Sequence, residues 1–207
     1  MYEDGFVIMH HVVEPGDLAQ LSEQIHRFFR RLPDLPENFR KELGTSVGGA
    51  IELNHVGALI PNLYMTSPLQ DIAARIVKLL GHDIRFTFAN AILKPAFYGE
   101  TVQPHQDCAY DAASSAAEGY TVWLPFAEAG PVQGAIYYLP GSHRDGPRQH
   151  RLVSGVWSVD IADTSQTVSV RVPLGGIAMH SARTVHGSHQ NFSDQPRLAL
   201  SLRLRPG

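Results

Sequence analysis

Two segments in the first half of the chain carry apolar residues at helical spacing. One apolar face runs from Leu18 to Leu32 and the other from Leu69 to Leu80, with steps of three or four residues as on one side of an α-helix. Asp17 and Ser67 precede these faces and are predicted N-caps, each followed three residues later by glutamine. Gly81 is predicted to end the second helix. We expect both helices to pack against a sheet.

From residue 84 onward the pattern changes to short apolar runs bounded by glycine, proline and polar turn residues, which is typical of strands. Two further strands are expected near Phe6 and Ile51. Because no helices alternate with these runs, the pattern predicts a mainly β fold with flanking helices, a jelly roll or other double-layered barrel. The six predicted strands of this region are Ile84–Lys94, Tyr120–Phe126, Ala135–Leu139, Thr167–Val172, Ile177–His180 and Leu198–Arg205.

Composition limits the size and the partners of the protein. With 207 residues and 43% hydrophobic residues, the chain suits a single domain over residues 1–207. The 17 basic and 20 acidic side chains nearly cancel, so neither nucleic acid nor an anionic membrane is an expected partner. We expect a small-molecule substrate, and the near-zero net charge argues against a strongly charged one.

The single cysteine and the N-terminal segment predict the compartment. Cys108 has no second cysteine with which to form an internal disulfide, which favours a reducing compartment. The chain also lacks an apolar stretch of about 20 residues and begins without the pattern of a signal peptide. The sequence therefore predicts a cytoplasmic protein.

His105 and Asp107 are candidate metal ligands. They are two residues apart, and on an extended segment their side chains point to the same side. With one further histidine they would form a two-histidine, one-carboxylate set, which leaves three positions of an octahedral Fe(II) open for a bidentate co-substrate and dioxygen. Zinc accepts the same ligand types, so the pair alone does not select the metal.

A second histidine–aspartate pair shows how little this spacing means by itself. His143 and Asp145 have the same separation within the sequence LPGSHRDG at 139–146. The Pro-Gly and Asp-Gly dipeptides of that segment are turn signals. We therefore interpret His143 as a turn residue that bonds to backbone.

The third ligand is suggested by an arginine near the C-terminus. His186 is the only one of the 11 histidines with an arginine, Arg197, eleven residues later. A dicarboxylic co-substrate that chelates iron at one end needs a fixed cation for its other carboxylate, and a guanidinium offers two parallel donors. The hydroxyl of Ser188 can share that anion.

The ordered motifs resemble a known family. HQD at 105–107, LPGSHRDG at 139–146, HGS at 186–188, NxS at 191–193 and the following Arg197 look like the phytanoyl-CoA dioxygenase superfamily of Fe(II)- and 2-oxoglutarate-dependent oxygenases. The opening YEDGFVIMHHVVEPGDLAQL resembles the first strand and helix of that family. The resemblance covers essentially the whole chain and implies a double-stranded β-helix, a cupin-like jelly roll, that uses Fe(II), 2-oxoglutarate and O2.

The resemblance also assigns roles to individual residues. It implies 2-oxoglutarate binding by Arg197 and Ser188, and it places Trp123 beside the co-substrate. Asn90 and Lys94 share one face of a strand that passes near the metal in the resembled fold, and they are further candidates for co-substrate binding. Catalytic metal ligation is implied for His105, Asp107 and His186.

The implied reaction is oxidation, with hydroxylation as the main expectation, of an unactivated C–H bond of a small metabolite, with release of succinate and CO2. Desaturation, cyclisation and epimerisation stay open, whereas the carboxylate of Asp107 argues against halogenation. The alternative function is a non-oxidative metal-binding β-barrel, a sensor or lyase, which would not need Arg197. The small, polar segment at 111–119 is a predicted lid.

Overall fold

The computed structural model describes residues 1–43, 50–97, 100–110, 119–153 and 156–207. Within them, three α-helices are α1 (Pro15–Arg30), α2 (Val56–Leu59) and α3 (Ser67–Leu80). The helices in these ranges include none that is long and apolar enough to cross a membrane. Short 3-10 helices occupy Leu32–Asp34, Glu37–Phe39, Leu63–Met65, Asp107–Tyr110, Ser142–Asp145 and Thr164–Gln166. The thirteen strands of the same ranges are β1 (Phe6–Met9), β2 (Arg40–Leu43), β3 (Ala50–Leu53), β4 (Ile84–Lys94), β5 (Val102–His105), β6 (Tyr120–Pro125), β7 (Ile136–Tyr138), β8 (Arg151–Val153), β9 (Val156–Ser158), β10 (Val168–Ser169), β11 (Ile177–Ser181), β12 (His186–Ser188) and β13 (Arg197–Pro206).

Two sheets form the jelly roll. The larger has the order β1-β11-β6-β13-β4-β3-β2, the smaller has the order β10-β7-β12-β5, and β8 pairs with β9. All pairings recorded between these strands are antiparallel. This architecture confirms the predicted mainly β fold with flanking helices, the double-stranded β-helix.

Strand β13 shows how the larger sheet separates core from cavity. Leu200, Leu202 and Leu204 are at most 1% exposed and pack in one cluster with apolar residues of α1 and α3. Successive side chains of a strand point to opposite faces, so the intervening residues face the smaller sheet. Those residues include Arg197, Ser201, Arg203 and Arg205, which line a cavity between the sheets.

The two predicted helices form, but their predicted caps are wrong. Helix α1 begins after Glu14 and α3 after Thr66, and neither N-cap side chain bonds to the helix. Asp17 instead accepts a hydrogen bond of 2.7 Å from the hydroxyl of Ser67. The two residues chosen as caps therefore tie the starts of the two helices together.

The strand predictions agree with the structure wherever apolar runs are long. Strand β4 has the predicted bounds, and Gly81 ends α3 in the left-handed conformation (φ 76°). The strands that were not predicted are all of four residues or fewer, namely β2, β5, β8, β9 and β12, because so short a run holds too few positions for an alternating pattern. Apart from Gly119, the predicted lid at 111–119 lies outside the described residues.

Candidate functional site

His105 and His186 face each other across neighbouring strands. They are register partners of β5 and β12, and their ring centroids are 4.3 Å apart. In each ring Nδ1 lies within hydrogen-bond distance of the carbonyl oxygen two residues earlier, at 2.8 Å from Gln103 and 3.0 Å from Thr184. A ring whose Nδ1 donates to backbone presents Nε2 as the metal-binding nitrogen. Both imidazoles are thus oriented by their own strands.

Asp107 completes the cluster from the 3-10 turn that follows β5. Its Oδ1 lies 3.9 Å from Nε2 of His105, and its Oδ2 lies 4.0 Å from Nε2 of His186. One ligand atom from each of the three side chains falls within 4.8 Å of the others. Two imidazole nitrogens and one carboxylate oxygen are the donor set that suits a non-haem Fe(II) with open positions. The residues present therefore fit the metal that the motif predicts.

The protonation states of the cluster favour cation binding. Burial, aided by the neighbouring His186, lowers the pKa of His105 to about 3, and burial with His180 lowers the pKa of His186 to about 4. Burial opposes ionisation of Asp107, yet Arg203, His186 and His180 hold the pKa of its carboxyl well below the usual range. At neutral pH the site offers two neutral imidazoles and one carboxylate, the forms in which these residues bind metals.

Three side chains hold the carboxylate of Asp107 in place. Thr121 donates a hydrogen bond of 2.5 Å to Oδ2, and Nε2 of His180 lies 3.2 Å from the same oxygen. Arg203 donates from Nη2 to Oδ1 at 3.3 Å. His180 is itself oriented by the hydroxyl of Tyr138, 3.1 Å from Nδ1. The carboxylate thus has partners on both of its oxygens.

The residue between the two candidate ligands His105 and Asp107 fixes the loop that carries them. Gln106 is fully buried, and its side-chain amide donates to the carbonyl oxygens of Gly146 at 3.0 Å and Arg183 at 2.5 Å. Its side-chain oxygen accepts from the backbone N–H of Arg148 at 2.7 Å. The middle residue of the HQD motif therefore anchors the turn from β5 to Asp107 against two other segments.

Arg197 has unused donors at the cavity wall. It is 5% exposed, and its Nη2 donates to the carbonyl oxygen of Gly134 at 3.1 Å, whereas Nε and Nη1 are buried and have no hydrogen-bond partner among the described residues. The guanidinium carbon lies 5.4 Å from the ring centroid of Trp123, and burial lowers the pKa of Arg197 to about 10. Buried donors normally find partners. A buried cation with two unpaired donor nitrogens fits an anionic group such as a carboxylate.

The other predicted co-substrate residues separate into two groups. Trp123, Ser188 and Asn90 line the same cavity as Arg197 and the metal cluster. Asn90 donates a hydrogen bond of 2.5 Å to Glu52 and accepts one of 3.3 Å from the backbone of His55. These three are brought together with the cluster, as the sequence predicts.

Lys94 is placed differently. It is fully buried and sits opposite Arg197 in the register of β4 and β13. Its ammonium donates to the carbonyl oxygens of Glu100, at 3.1 Å, and His189. Lys94 is not among the described residues that line the cavity, so its contacts hold backbone segments together behind Arg197.

The second histidine–aspartate pair forms a turn, as interpreted from the sequence. Ser142–Asp145 is a 3-10 helix, and Nε2 of His143 lies 3.2 Å from the carbonyl oxygen of Tyr2. Asp145 pairs with Arg148 at 2.9 Å. Neither member belongs to the metal cluster.

Sequence reasoning missed Thr121, Gln106 and Arg203. Thr121 lies two residues before Trp123 on β6, and Arg203 lies six residues after Arg197 on β13. Even separations on a strand place side chains on one face, so alternation counted from Trp123 and from Arg197 could have placed Thr121 and Arg203 on the same face as those two residues. No motif marked Gln106.

The cavity between the sheets has a volume of about 600 Å³. The metal cluster and Arg197 lie on its wall together with apolar side chains, among them Phe88, Val102, Ile136 and Val156. A cavity of this size lies in the range of small-molecule sites.

Comparisons with known proteins agree with this geometry. The family model for phytanoyl-CoA dioxygenase (PhyH) matches residues 1–199. The chain is 28% identical to phytanoyl-CoA dioxygenase domain-containing protein 1 of Bos taurus over 122 residues, which cover 55% of this chain and 42% of that protein. The chain therefore spans less than half the length of this curated relative.

Solved structures share the fold over nearly the whole chain. EvdO2 from Micromonospora carbonacea var. aurantiaca, complexed with 2-oxoglutarate, superposes with a TM-score of 0.81 at 23% identity, covering 100% of this chain and 88% of that one. The epimerase SnoN, in complex with Fe3+, alpha ketoglutarate and nogalamycin RO, gives a TM-score of 0.81 at 21% identity, covering 99% and 80%. At these identities the likeness concerns the fold.

Proposed function

The chain belongs to the phytanoyl-CoA dioxygenase (PhyH) family, and from this premise we propose that it hydroxylates an unactivated C–H bond of a small-molecule metabolite. In this proposal the chain acts as a non-haem iron oxygenase that depends on Fe(II), 2-oxoglutarate and O2. The proposed reaction releases succinate and CO2. The observation that carries the proposal concerns Arg197, whose buried Nε and Nη1 have no hydrogen-bond partner among the described residues and which lies on the same cavity wall as the metal cluster.

The proposal gives each side chain of the site a task. His105, Asp107 and His186 hold Fe(II), which together with 2-oxoglutarate and O2 supplies the oxidising power for C–H cleavage. The carbonyl oxygens behind the two imidazoles keep Nε2 directed at the metal. Thr121, His180 and Arg203 hold the carboxylate of Asp107 ionised and fixed.

Arg197 is the anchor of the co-substrate in this proposal. Its unpaired donor nitrogens receive the distal carboxylate of 2-oxoglutarate, and a charge-assisted bond of this kind is stronger in a site that excludes water. Ser188 adds a hydroxyl, and the Trp123 ring covers the guanidinium. Asn90 faces the substrate side of the cavity, where Glu52 orients it. We assign Lys94 the task of ordering the backbone beside Ser188 rather than touching the co-substrate.

Two measurements test the proposal, first the binding of 2-oxoglutarate and then the release of succinate during turnover. Protein loaded anaerobically with Fe(II) should bind 2-oxoglutarate in a calorimetric titration, and with O2 and a substrate it should release succinate. Arg197→Gln should weaken 2-oxoglutarate binding by about tenfold or more, since bonds between charged groups contribute about 1.5–3 kcal/mol each. Arg171→Gln, which removes an exposed arginine paired with Glu128, should bind the co-substrate like the wild type.

The same titration distinguishes the alternative function, a non-oxidative metal-binding barrel, from the proposed oxygenase. A non-oxidative metal-binding barrel would retain metal through His105 but would bind 2-oxoglutarate weakly and equally in the wild type and Arg197→Gln. That result would sink the oxygenase proposal. Product analysis by mass spectrometry distinguishes hydroxylation, a gain of one oxygen, from desaturation or cyclisation, a loss of two hydrogens, and from epimerisation, which leaves the mass unchanged.

Two broader expectations stay part of the proposal. We propose that residues 1–207 act as one domain, which the core shared by α1, α3 and the larger sheet supports. We also propose a reducing, cytoplasmic location, because Cys108 has no partner for an internal disulfide. A small-molecule substrate is proposed because the cavity volume is about 600 Å³. Burial raises the pKa of the Cys108 thiol, as expected of an unreactive cysteine.

A further inference from the structure

Glu52 brings a carboxyl group to the cavity outside the metal cluster. Within the described ranges, the acidic residues that line the cavity are Glu52 and Asp107, and Asp107 belongs to the cluster. Glu52 lies on β3 and is partly buried. Acidic side chains are rarely withdrawn from water without a partner. The proposed roles of the metal and the co-substrate do not account for a carboxyl group at this position.

Glu52 lies on a different part of the wall from the co-substrate anchor. It is the register partner of Ile92 on β4, and Ile92 is the register partner of Ala199 on β13. Adjacent strands lie about 4.8 Å apart, so two strand spacings, about 10 Å, separate Glu52 from the strand that carries Arg197. Because the proposed co-substrate spans Arg197 and the metal cluster, Glu52 stays available for the substrate.

Asn90 fixes the carboxyl group of Glu52. The side-chain amide of Asn90 donates a hydrogen bond of 2.5 Å to Oε1 of Glu52, and the side-chain oxygen of Asn90 accepts one of 3.3 Å from the backbone N–H of His55. Within the described ranges, no hydrogen bond reaches Oε2 of Glu52, and that oxygen is not among the buried polar atoms that lack a partner. Oε2 is thus an oriented acceptor that is open to the cavity.

The charges around Glu52 favour a neutral donor. Burial raises the pKa of Glu52, and the charges of Lys41 and Arg203 oppose that rise. Lys41 is the register partner of Glu52, and Arg203 lines the same cavity. A substrate ammonium at Oε2 would be repelled by these two cations, and a substrate carboxylate would be repelled by Glu52 itself. A hydroxyl group avoids both repulsions and can donate to the carboxylate.

The rest of the wall fits a molecule with a polar side and an apolar side. Ser201 is the register partner of Asn90, and both residues line the cavity from the larger sheet. Val102 and Ile136 line it from the smaller sheet. A substrate that lies between the sheets therefore meets hydrogen-bonding groups beside Glu52 and hydrocarbon across the cavity.

We propose that Glu52 is a specificity-determining residue that accepts a hydrogen bond from a hydroxyl group of the substrate, and that the substrate is an uncharged, hydroxyl-bearing molecule. Asn90 acts as a positioning residue, because it holds the carboxyl group through Oε1 and leaves Oε2 to the substrate. This inference rests on the proposed function of the site and names the substrate class for it.

Matched ligands test the hydrogen bond. Protein loaded with Mn(II) and 2-oxoglutarate is titrated with menthol, menthyl methyl ether, menthylamine and menthanecarboxylate, which share one carbon skeleton, and binding is measured from the relaxation of ligand protons by Mn(II). We expect menthol to bind about tenfold more tightly than its ether, which cannot donate. Tenfold corresponds to about 1.4 kcal/mol, the lower end of the range for hydrogen bonds to charged groups. The amine and the carboxylate should also bind more weakly than menthol.

Variants locate the hydrogen bond on Glu52. The ratio of the menthol and ether affinities is the readout, because a general distortion of the cavity weakens both ligands alike. This ratio should fall to about threefold in Glu52→Gln, which keeps a neutral acceptor, and to about one in Glu52→Met, which keeps none. Glu37→Gln makes the first change at an exposed residue outside the cavity lining and should keep the wild-type ratio. All three variants should bind 2-oxoglutarate as the wild type does.

Four results would overturn the inference: equal binding of menthol and its ether, a preference for menthol that Glu52→Gln leaves unchanged, tighter binding of the amine or the carboxylate than of menthol, and binding of none of the four ligands. Glu52→Gln decides the second point even if Glu52→Met does not fold. A failure of the proposed function gives a different result, because Mn(II)-loaded wild-type protein would then not bind 2-oxoglutarate at all.

Discussion

The hydroxyl of Thr121 donates a hydrogen bond of 2.5 Å to Oδ2 of Asp107. The bond joins β6 of the larger sheet to the turn that follows β5 of the smaller sheet. Both residues are buried, at 3% and 7% exposure, so water does not replace a lost partner easily. The proposed metal ligand is therefore oriented by a strand of the opposite sheet.

Replacing Thr121 should weaken the metal site while leaving the fold intact. Thr121→Val keeps the volume but removes the donor, and losing a partner that orients a ligand typically costs ten- to a hundredfold in metal affinity. We expect a fall of about that size in an anaerobic Fe(II) titration. Thr167→Val, which removes an exposed hydroxyl bonded to Thr164, should bind metal like the wild type. Equal affinities of the two variants would show that Asp107 needs no such support.

Gly187 separates a proposed metal ligand from a proposed co-substrate residue. A Cβ at this position would touch the hydroxyl of Tyr137 and lie 2.6 Å from the carbonyl oxygen of Val102. Val102 belongs to β5, so Gly187→Ala should push β12 away from the strand that carries His105. We expect a loss of about 1–3 kcal/mol in the free energy of unfolding from overpacking, together with at least about tenfold weaker Fe(II) binding.

Gly16 supplies the matched control for that substitution. It lies in the first turn of α1, and a Cβ there would meet nothing within 4 Å. Gly16→Ala should therefore be neutral or stabilise the protein by up to about 1 kcal/mol. Chemical denaturation of both variants measures the difference. A Gly187→Ala protein as stable as Gly16→Ala would show that β12 tolerates a side chain at this point.

The triad and Arg197 could be predicted because ordered motifs mark them. His186 and Arg197 were linked by spacing and by the need of a dicarboxylate for a fixed cation, and the structure places both on one cavity with His105 and Asp107. The long strands could be predicted for a similar reason, since their apolar residues alternate over many positions. Local pattern was enough in both cases.

Contacts between sheets were not predictable from local pattern. Thr121 and Asp107 are 14 residues apart, Arg203 and Asp107 are 96 apart, and neither pairing leaves a trace in spacing. Lys94 is the opposite case. Its strand position predicted a contact with the co-substrate, whereas its side-chain nitrogen donates to the backbone carbonyl oxygens of Glu100 and His189.

The face of β13 opposite the cavity should dominate stability. Leu200 is fully buried in the cluster formed with α1 and α3. Leu200→Ala should lower the free energy of unfolding by about 2–5 kcal/mol, from lost burial and the void left behind. Leu152→Ala, at a strand position 62% exposed, should change it by less than about 0.5 kcal/mol. Urea titrations measure the free energy of unfolding of both variants, and similar losses in the two would contradict the burial of Leu200 in the core.

Lys94 should make stability depend on pH. Burial, with a smaller contribution from Arg197, lowers the pKa of Lys94 from 10.5 to about 6. Between these pH values the unfolded chain keeps a proton that the folded protein has lost, so the free energy of unfolding should rise with pH from about 6 upward. Below pH 6 both states carry the charge, and the cost of burying it is fully present.

A methionine at position 94 isolates this contribution. Lys94→Met has no proton to lose, so the free energy of unfolding of the wild type minus that of the variant should increase between pH 6 and pH 9, because groups common to both proteins cancel. Lys78→Met, which replaces an exposed lysine near the end of α3, is the matched control for the loss of one lysine side chain. If the Lys94→Met difference did not change between pH 6 and pH 9, the ammonium of Lys94 would remain charged in the folded protein throughout this range. Lys94 and Arg197, which are register partners of β4 and β13, would then face each other with both charges present. The hydrogen bonds to the carbonyl oxygens of Glu100 and His189 would in that case offset the free-energy cost of burying the ammonium.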